Sequence, residues 1–249
     1  MSILQLQEVN GGYSRNKPVL HNISFDIRPA EMVGLIGLNG AGKSTTMKHI
    51  LGLMKPHSGT IRMREQTLAE APDRYKASFA YVPETPLLYE ELTVREHLEL
   101  TAMAYGIDKS TFHSRVEVLA EEFYMKDKLN SFSMHLSKGM RQKVMIMNAF
   151  LVQPPLYVID EPFLGLDPLG IRSLLELMLK TKQSGASILM SSHILSTIEG
   201  YCDRFIVLHE GRIIAMGTLE EIRRQADMPQ SSLEDVFFAL VKGGSAEWK

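Results

Sequence analysis

One short segment limits what this chain can fold into more than any other feature: Gly37-Leu38-Asn39-Gly40-Ala41-Gly42-Lys43-Ser44. It matches the phosphate-loop pattern, in which two glycines and a Lys-Ser pair stand at fixed offsets. The apolar run of residues 31–36 before it is typical of a buried strand. The residues after it place Met47, Ile50, Leu51 and Met54 on one face of a helix. The segment therefore predicts a strand, an anion-binding loop and a helix in direct succession.

The chemistry of such a loop is electrostatic. Its glycines let backbone N–H groups converge on an anion, and the amino terminus of the following helix adds positive potential at the same place. We expect a nucleoside triphosphate there, with Lys43 on the β- and γ-phosphates and the Ser44 hydroxyl as a ligand of Mg²⁺. A dinucleotide-binding loop is the competing interpretation, but glycines at positions 34, 37, 40 and 42 lack the Gly-x-Gly-x-x-Gly spacing.

A second motif is an apolar strand pattern, Leu156-Tyr157-Val158-Ile159, that ends in Asp160 and Glu161. The carboxyl ends of parallel strands meet at one edge of a sheet, so we expect both carboxylates beside the phosphate loop. There Asp160 is expected to hold Mg²⁺ through water, and Glu161 to polarise the water that attacks the γ-phosphate. An acidic pair after a strand is by itself more often a solvated turn; the neighbouring phosphate loop is what favours catalysis.

The rest of the chain predicts an α/β protein with a largely parallel sheet, because short apolar runs alternate with longer helical periodicities. Further strands are expected at residues 79–82, 187–190 and 205–208, and Glu210-Gly211 predicts a hairpin into residues 212–215. Between residues 84 and 150 helix signals replace strand signals. The amino-terminal residues alternate apolar and polar side chains like a strand, so we expect no secretory signal.

The predicted helices of that stretch are one capped by Thr93 and ending near Tyr105, one over residues 111–125, and one from near Gly139 to before Pro154. Thr218 and Glu221 form a further capping box. The last helix is expected to begin after Ser231 or Ser232 and to stop at Gly243-Gly244. We therefore expect a single domain over 1–249, with a core of 1–83 and 151–217, a helical subdomain of 84–150 and a helical extension of 218–249.

Charge and composition exclude several other classes. The chain has 27 basic and 29 acidic residues, a net charge of −2, so no broad positive field exists to hold nucleic acid. Cys202 is the single cysteine, which excludes an intrachain disulfide and favours a reducing, intracellular compartment. The longest mainly apolar stretch, residues 144–152, is too short for a bilayer, which needs roughly 20 residues. If a membrane is involved, we expect another chain to span it.

These motifs, together with others, resemble the ATP-binding cassette (ABC) ATPases, and within them the ATP-binding subunits of Ecs-type bacterial ABC transporters. Leu136-Ser137-Lys138-Gly139-Met140 is similar to the family signature, Leu-Ser-Gly-Gly-Gln. Asp167 resembles the D-loop aspartate, His193 the switch histidine, and Tyr13 the aromatic residue that stacks on adenine. The resemblance spans essentially the whole chain. It implies a phosphate-loop NTPase fold with a RecA-like parallel sheet, an antiparallel β edge and an inserted helical subdomain.

The resemblance also implies a function: an Mg²⁺-dependent ATPase that energises a bacterial transporter of exporter type. Two copies would face each other head to tail, with ATP between one phosphate loop and the other copy's signature. A separate integral membrane permease would dock near residues 84–105, which places the chain at the cytoplasmic face of the cell membrane and leaves it soluble when isolated. The implied ATP contacts are Tyr13, the phosphate loop and Thr45; the implied catalytic pair is Glu161 and His193.

The sequence departs from the family pattern at three positions. Lys138 replaces the first signature glycine and Met140 the glutamine; the lysine either adds charge near the phosphate or points to solvent. Gly139 is the position at which we expect a side chain to be tolerated least. Glu84 stands where the family usually has the Q-loop glutamine. A carboxylate can still ligate Mg²⁺, but it cannot donate an amide hydrogen bond, and we interpret it as a feature of the Ecs-type subunits.

Three alternatives stay open. The apolar residues Leu87, Leu88 and Tyr89 either receive a helix of the permease or seat their loop on the core. A soluble ABC-type ATPase outside transport is a rival function, although one cassette and one cysteine argue against the two-cassette and zinc-containing kinds. The other rival is a regulatory module that responds to nucleotide without hydrolysing it. The presence of Glu161 and His193 argues against this function, while the departures at Glu84 and Lys138 leave it open.

Overall fold

The computed structural model describes residues 2–247, with side chains up to residue 243. The strands are β1 (Leu4–Gly11), β2 (Leu20–Ile27), β3 (Met32–Ile36), β4 (Ser58–Met63), β5 (Phe79–Val82), β6 (Leu156–Ile159), β7 (Ser187–Ser191), β8 (Arg204–His209) and β9 (Arg212–Gly217). The helices are α1 (Lys43–Ile50), α2 (Pro72–Ala77), α3 (Val94–Tyr105), α4 (Lys109–Glu122), α5 (Lys138–Val152), α6 (Pro168–Gln183), α7 (Leu195–Ile198), α8 (Leu219–Gln225) and α9 (Leu233–Glu247). Within the described part of the chain, no helix is both long and apolar enough to span a bilayer.

The central sheet has the strand order β5-β6-β7-β3-β8-β9, and its first five strands are parallel. β3, β6 and β7 are buried along their whole length, as expected for parallel strands that are covered on both faces. β9 returns antiparallel to β8 through Glu210 and Gly211, whose φ angles of 45° and 73° suit a tight hairpin. The strands predicted from apolar runs and the predicted hairpin are thereby confirmed.

A second sheet is antiparallel, with the order β2-β1-β4. Only β1 among its members was expected from the sequence; β2 and β4 carry polar residues on one side and give weaker strand patterns.

The core consists of two apolar clusters, one on each side of the central sheet. β3 supplies alternate side chains to the two clusters, Met32 and Ile36 to one, Val33 and Leu35 to the other. The phosphate loop therefore leaves from a strand that is fixed on both faces.

Side-chain caps set where several of the helices begin. Thr93 and Glu96 form the predicted capping box at the start of α3, and Thr218 and Glu221 do so at α8. The predicted helix over residues 111–125 is wrong at both ends, since α4 spans Lys109–Glu122. The Asp108 side chain accepts hydrogen bonds from the N–H groups of residues 110 and 111, and this cap starts the helix earlier.

α9 begins as predicted, because Ser232 Oγ accepts a hydrogen bond from Asp235 N at 3.1 Å. The predicted stop at Gly243-Gly244 is wrong: the helix runs to Glu247. A glycine inside a helix costs only about 1 kcal/mol, and Gly243 does not take the left-handed backbone that a glycine cap needs. The division of the chain at residues 84, 150 and 218 stays a prediction; α3 to α5, α9 and the central sheet share one apolar cluster.

Candidate nucleotide-binding site

The phosphate loop joins β3 to α1 and is held from outside by the β8–β9 hairpin. Gly211 N donates a hydrogen bond to Ala41 O at 2.9 Å. A Cβ on Gly37 would lie 2.5 Å from Leu208 O, so this position has no room for a side chain. Gly42 has φ 108°, a backbone conformation that only glycine adopts without strain. These close approaches explain why the loop sequence needs glycine at fixed offsets.

Lys43 contacts both the phosphate loop and Glu161, which follows β6. Its Nζ donates a hydrogen bond to Gly37 O at 2.8 Å and lies 3.7 Å from Glu161 Oε1. The lysine is 7% exposed, and the carboxylate partly offsets the cost of burying its charge. This position at the first turn of α1 lets the ammonium group face an anion bound by the loop.

Asp160 and Glu161 follow β6 directly and are bridged by Ser191 at the end of the neighbouring strand β7. Ser191 Oγ donates to Asp160 Oδ1 at 2.6 Å and accepts from Glu161 N at 2.9 Å. Glu161 has φ 46°, a left-handed conformation that costs a residue with a side chain on the order of 1 kcal/mol. Ser191 thus orients the Asp160 carboxylate and restrains the backbone of Glu161. Sequence reasoning missed this serine; its signal was a polar residue at the carboxyl end of a strand neighbouring β6.

Glu161 also contacts His193. His193 Nδ1 lies 2.6 Å from Glu161 Oε2, and His193 N donates to the same oxygen at 3.1 Å. An ionised carboxylate only accepts hydrogen bonds, so this contact suits the tautomer with the proton on Nδ1, and Nε2 is left to face other groups. Glu161 therefore lies between Lys43 on one oxygen and His193 on the other, an arrangement that suits a base oriented next to a phosphate.

Tyr13 lines one cavity together with the phosphate loop and Glu161. Lys48 Nζ donates to its hydroxyl at 3.0 Å and lies 5.3 Å from the ring centroid. This hydrogen bond lowers the pKa of Tyr13 below its usual value. The ring is 71% exposed, so an aromatic face is free to stack on a base.

A cavity of about 790 Å³ brings most of the predicted site residues together. The predicted residues that line it are Tyr13, Gly37, Leu38, Asn39, Gly40, Gly42, Lys43, Ser44, Thr45, Glu84, Glu161 and His193. Two predicted residues next to lining residues are buried and do not line it: Ala41 is 4% exposed and Asp160 is 3% exposed. Asp160 is nevertheless tied to the cavity through Ser191 and Glu161.

The expected Mg²⁺ ligands fit the chemistry of that ion. Ser44 and Glu84 face the cavity, and Asp160 lies below it, so the donors are one hydroxyl and two carboxylates. Among the side chains that the structure describes, no group of three or more His, Cys, Asp and Glu residues could hold a metal by itself. Mg²⁺ in nucleotide sites is usually bound by few protein oxygens together with phosphate and water, so this sparse set is compatible with it.

The signature residues 136–140 do not line this cavity. They form the amino-terminal end of α5, where Ser137 Oγ accepts from Met140 N at 3.3 Å. A Cβ on Gly139 would lie 2.4 Å from Gly165 O, which gives a reason for a glycine at this position. Lys138 is exposed, and its stem runs beside Gly165.

Asp167 lies on the side of the signature helix rather than in the cavity. It caps α6 by accepting from Gly170 N at 2.6 Å, and Lys143 Nζ of α5 lies 3.3 Å from its other oxygen. The hydrogen bond from Gly170 N holds the pKa of Asp167 below its usual range. Asp167, the predicted D-loop aspartate, and α5, which carries the predicted signature, are thus joined within one copy.

The apolar residues 87–89, expected either to receive a helix of the permease or to seat their loop on the core, differ in exposure. Leu87 is 77% exposed and Tyr89 63%, whereas Leu88 is partly buried against the apolar cluster. Leu88 seats the loop on the core, and its two neighbours are left at the surface.

The comparisons with known proteins agree with this geometry. A family model described as ABC transporter matches residues 20–164. The ABC-type transporter ATP-binding protein EcsA of Bacillus subtilis (strain 168) is 58% identical over 97% of this chain and 98% of its own length. The uncharacterized ABC transporter ATP-binding protein YthP of the same organism is 40% identical over the same shares.

A solved structure, described as that of the ATP binding subunit of an ABC transporter, superposes with a TM-score of 0.93. It is 53% identical, and the match covers 96% of this chain and 99% of that one. The predicted fold class, an ABC ATPase fold with a parallel core and antiparallel strands, is confirmed. The phosphate loop, the acidic pair and these matches over nearly the whole chain lead to one conclusion: the chain belongs to the ABC transporter family and is one of its ATP-binding subunits.

Proposed function

We propose that this chain hydrolyses ATP in an Mg²⁺-dependent reaction and drives a bacterial exporter. The observation that carries the proposal is the position of Glu161, whose two oxygens face Lys43 and His193 in the cavity lined by the phosphate loop. A side chain held this way is suited to act as a general base. The presence of both Glu161 and His193 favours turnover over a regulatory module that binds nucleotide without hydrolysing it.

In the proposed reaction, ATP binds with its triphosphate against the backbone N–H groups of the loop, and Lys43 moves from Gly37 O to the β- and γ-phosphates. Water hydrogen-bonded to Glu161 attacks the γ-phosphorus, its proton passes to the carboxylate, and the bond to the β-phosphate oxygen breaks to give ADP and inorganic phosphate. His193 keeps Glu161 oriented and donates to the γ-phosphate. Mg²⁺, held by Ser44 and Glu84 with Asp160 acting through water, would neutralise developing negative charge.

The proposed active form is a dimer of two copies. A helix amino terminus such as that of α5 is suited to bind the γ-phosphate. The signature residues at that end of α5 do not line the cavity of their own copy. A second copy placed head to tail would supply Ser137 and Gly139 to complete each site.

An integral membrane permease is the partner implied for an ATP-binding subunit of this family. We propose that it docks at residues 84–105, where Leu87 and Tyr89 are exposed beside Glu84 of the nucleotide cavity. This would hold the chain at the cytoplasmic face of the membrane. Export is the proposed direction, on the similarity of the Leu233-Glu234-Asp235-Val236-Phe237 segment to the carboxyl-terminal end of exporter-type subunits.

Replacing Glu161 with Gln tests hydrolysis and dimerisation together. The amide keeps the size of the side chain but does not take up a proton, so ATP binding is expected to persist while phosphate release falls at least about 100-fold. Light scattering is expected to show a monomer without nucleotide and a dimer with Mg²⁺ and ATP. A variant that releases phosphate at the wild-type rate would show that the base lies elsewhere.

A further inference from the structure

The nucleotide cavity has a wall that the functions assigned above do not use. Leu195 of α7 lines it, and so do Glu234, Phe237 and Phe238 of α9. Phe237 is 4% exposed and packs into the core, whereas Phe238 is 44% exposed. α9 belongs to the carboxyl-terminal extension and is far in sequence from the phosphate loop. The folding of the chain nevertheless brings both to the same cavity.

A single carboxylate joins this extension to the segment that carries His193. Glu199, which directly follows α7, accepts from Leu233 N with Oε2 at 3.2 Å. Its Oε1 accepts from Arg223 Nη2 at 3.3 Å, and Arg223 Nε donates to Ser231 O at 2.7 Å. Leu233 N is one of the first-turn N–H groups of α9 that have no partner within the helix, and a negative charge at this end is also favoured by the helix dipole. We call Glu199 and Arg223, with their contacts to Ser231 and Leu233, the latch.

The packing beneath the latch couples the same parts. Leu195 is 7% exposed and Ile198 is fully buried on α7; Leu233 and Val236 of α9 are at most 1% exposed, and all four belong to one apolar cluster. α7 starts two residues after His193, so this short helix anchors the loop that positions the imidazole ring. A helix of four residues has few contacts of its own and depends on such packing for a fixed position.

We infer that the extension formed by α8 and α9 is a positioning element for His193, and that Glu199 and Arg223 are positioning residues that act through α7. The inference rests on the proposed function of His193 in hydrolysis. Glu161 holds the ring from the strand side at 2.6 Å, and the latch holds the far end of the same segment. Loosening the latch leaves the phosphate loop intact, so it lowers turnover more than nucleotide affinity.

The test uses the full chain with Arg223→Ala and Glu199→Gln as two independent ways to weaken the latch. Arg223→Lys is the conservative variant, and Arg224→Ala is the matched control on the same helix, since Arg224 is exposed and contacts Glu220 O of its own turn. Turnover, the KM for ATP and the affinity for a fluorescent ATP analogue are measured for each. The ring nitrogen resonances of His193 are followed by NMR and assigned with His193→Ala.

We expect Arg223→Ala and Glu199→Gln to lower kcat at least about fivefold with less than about a twofold change in nucleotide affinity, because small displacements of a catalytic group cost rate. The His193 resonances should shift in both variants, Arg223→Lys should recover part of the rate, and Arg224→Ala should match wild type. Within a His193→Ala background, Arg223→Ala should have no further effect on kcat.

Unshifted His193 resonances in folded latch variants would overturn the inference, and so would a kcat loss that persists in the His193→Ala background. The failure of the proposed function looks different: wild type and His193→Ala would then turn over equally, or neither would release phosphate. In that case the resonances still decide whether the latch positions the ring.

Discussion

The serine at the end of β7 offers the sharpest quantitative test of the site, because one buried hydroxyl serves both acidic residues. Ser191 is fully buried and makes two hydrogen bonds, one to the Asp160 carboxylate at 2.6 Å and one from Glu161 N at 2.9 Å. In Ser191→Ala the carboxylate loses a donor and the buried Glu161 N–H loses its acceptor. The smaller side chain supplies neither.

The magnitude follows from these two bonds. A hydrogen bond to a charged group contributes about 1.5–3 kcal/mol and a neutral one about 1 kcal/mol, so Ser191→Ala should lower the free energy of unfolding by about 3 kcal/mol. Ser192→Ala is the matched control: Ser192 is equally buried, and its Oγ accepts one neutral hydrogen bond from Ile194 N at 3.0 Å. Its expected cost is about 1 kcal/mol.

Urea unfolding followed by circular dichroism measures both variants, and thermal unfolding should show a decrease of about 6–12 °C for Ser191→Ala in a chain of this size. Turnover should fall as well, since the left-handed backbone at Glu161 then has one restraint less. Equal stability losses in the two serine variants would refute the reasoning, because they would show that the bridge to the acidic pair adds nothing beyond one ordinary hydrogen bond.

Three further changes have definite expectations. Lys43→Ala should raise the Kd for ATP at least about 100-fold, since it removes the buried ammonium group that faces the phosphates; an unchanged Kd in equilibrium binding would remove the phosphate-loop assignment. Glu84→Gln should keep the Mg²⁺-dependent turnover of the isolated chain, because the amide oxygen can still ligate Mg²⁺, and should change stimulation by the membrane subunit; a loss of that turnover would show that the Mg²⁺ site requires the carboxylate. Burial holds the pKa of His49 below its usual value of 6.5, and its Nε2 has no hydrogen-bond partner in the described structure. The unfolded chain is therefore protonated first, and the free energy of unfolding should fall as the pH decreases below about 6.5. Urea titrations across this range should show a weaker pH dependence in His49→Gln than in the wild type, and an equal pH dependence in the two proteins would contradict this assignment.

The residues that a sequence can locate are those whose role is set by their neighbours along the chain. The phosphate loop, the strand ending in Asp160 and the capping boxes at Thr93 and Thr218 are of this kind, because spacing alone fixes their geometry. Local reasoning failed where a cap was overlooked, as with Asp108, or where glycine was read as a stop, as at Gly243.

The features that the sequence did not reveal depend on pairing between distant segments. β2 and β4 are strands because β1 lies between them, although neither has a continuous apolar run. Ser191 is separated from Glu161 by 30 residues, and Glu199 from Leu233 by 34. Such contacts follow from strand order and helix packing, which a single sequence does not encode in its local patterns.

The most direct measurement of the central claim is a structure of the Glu161→Gln variant with ATP and Mg²⁺. The account predicts two copies head to tail, with each triphosphate lying against residues 37–44 of one copy and the α5 amino terminus, at Ser137 and Gly139, of the other. A nucleotide bound away from Lys43, or a triphosphate complete within a single copy while residues 136–140 face solvent, would contradict it.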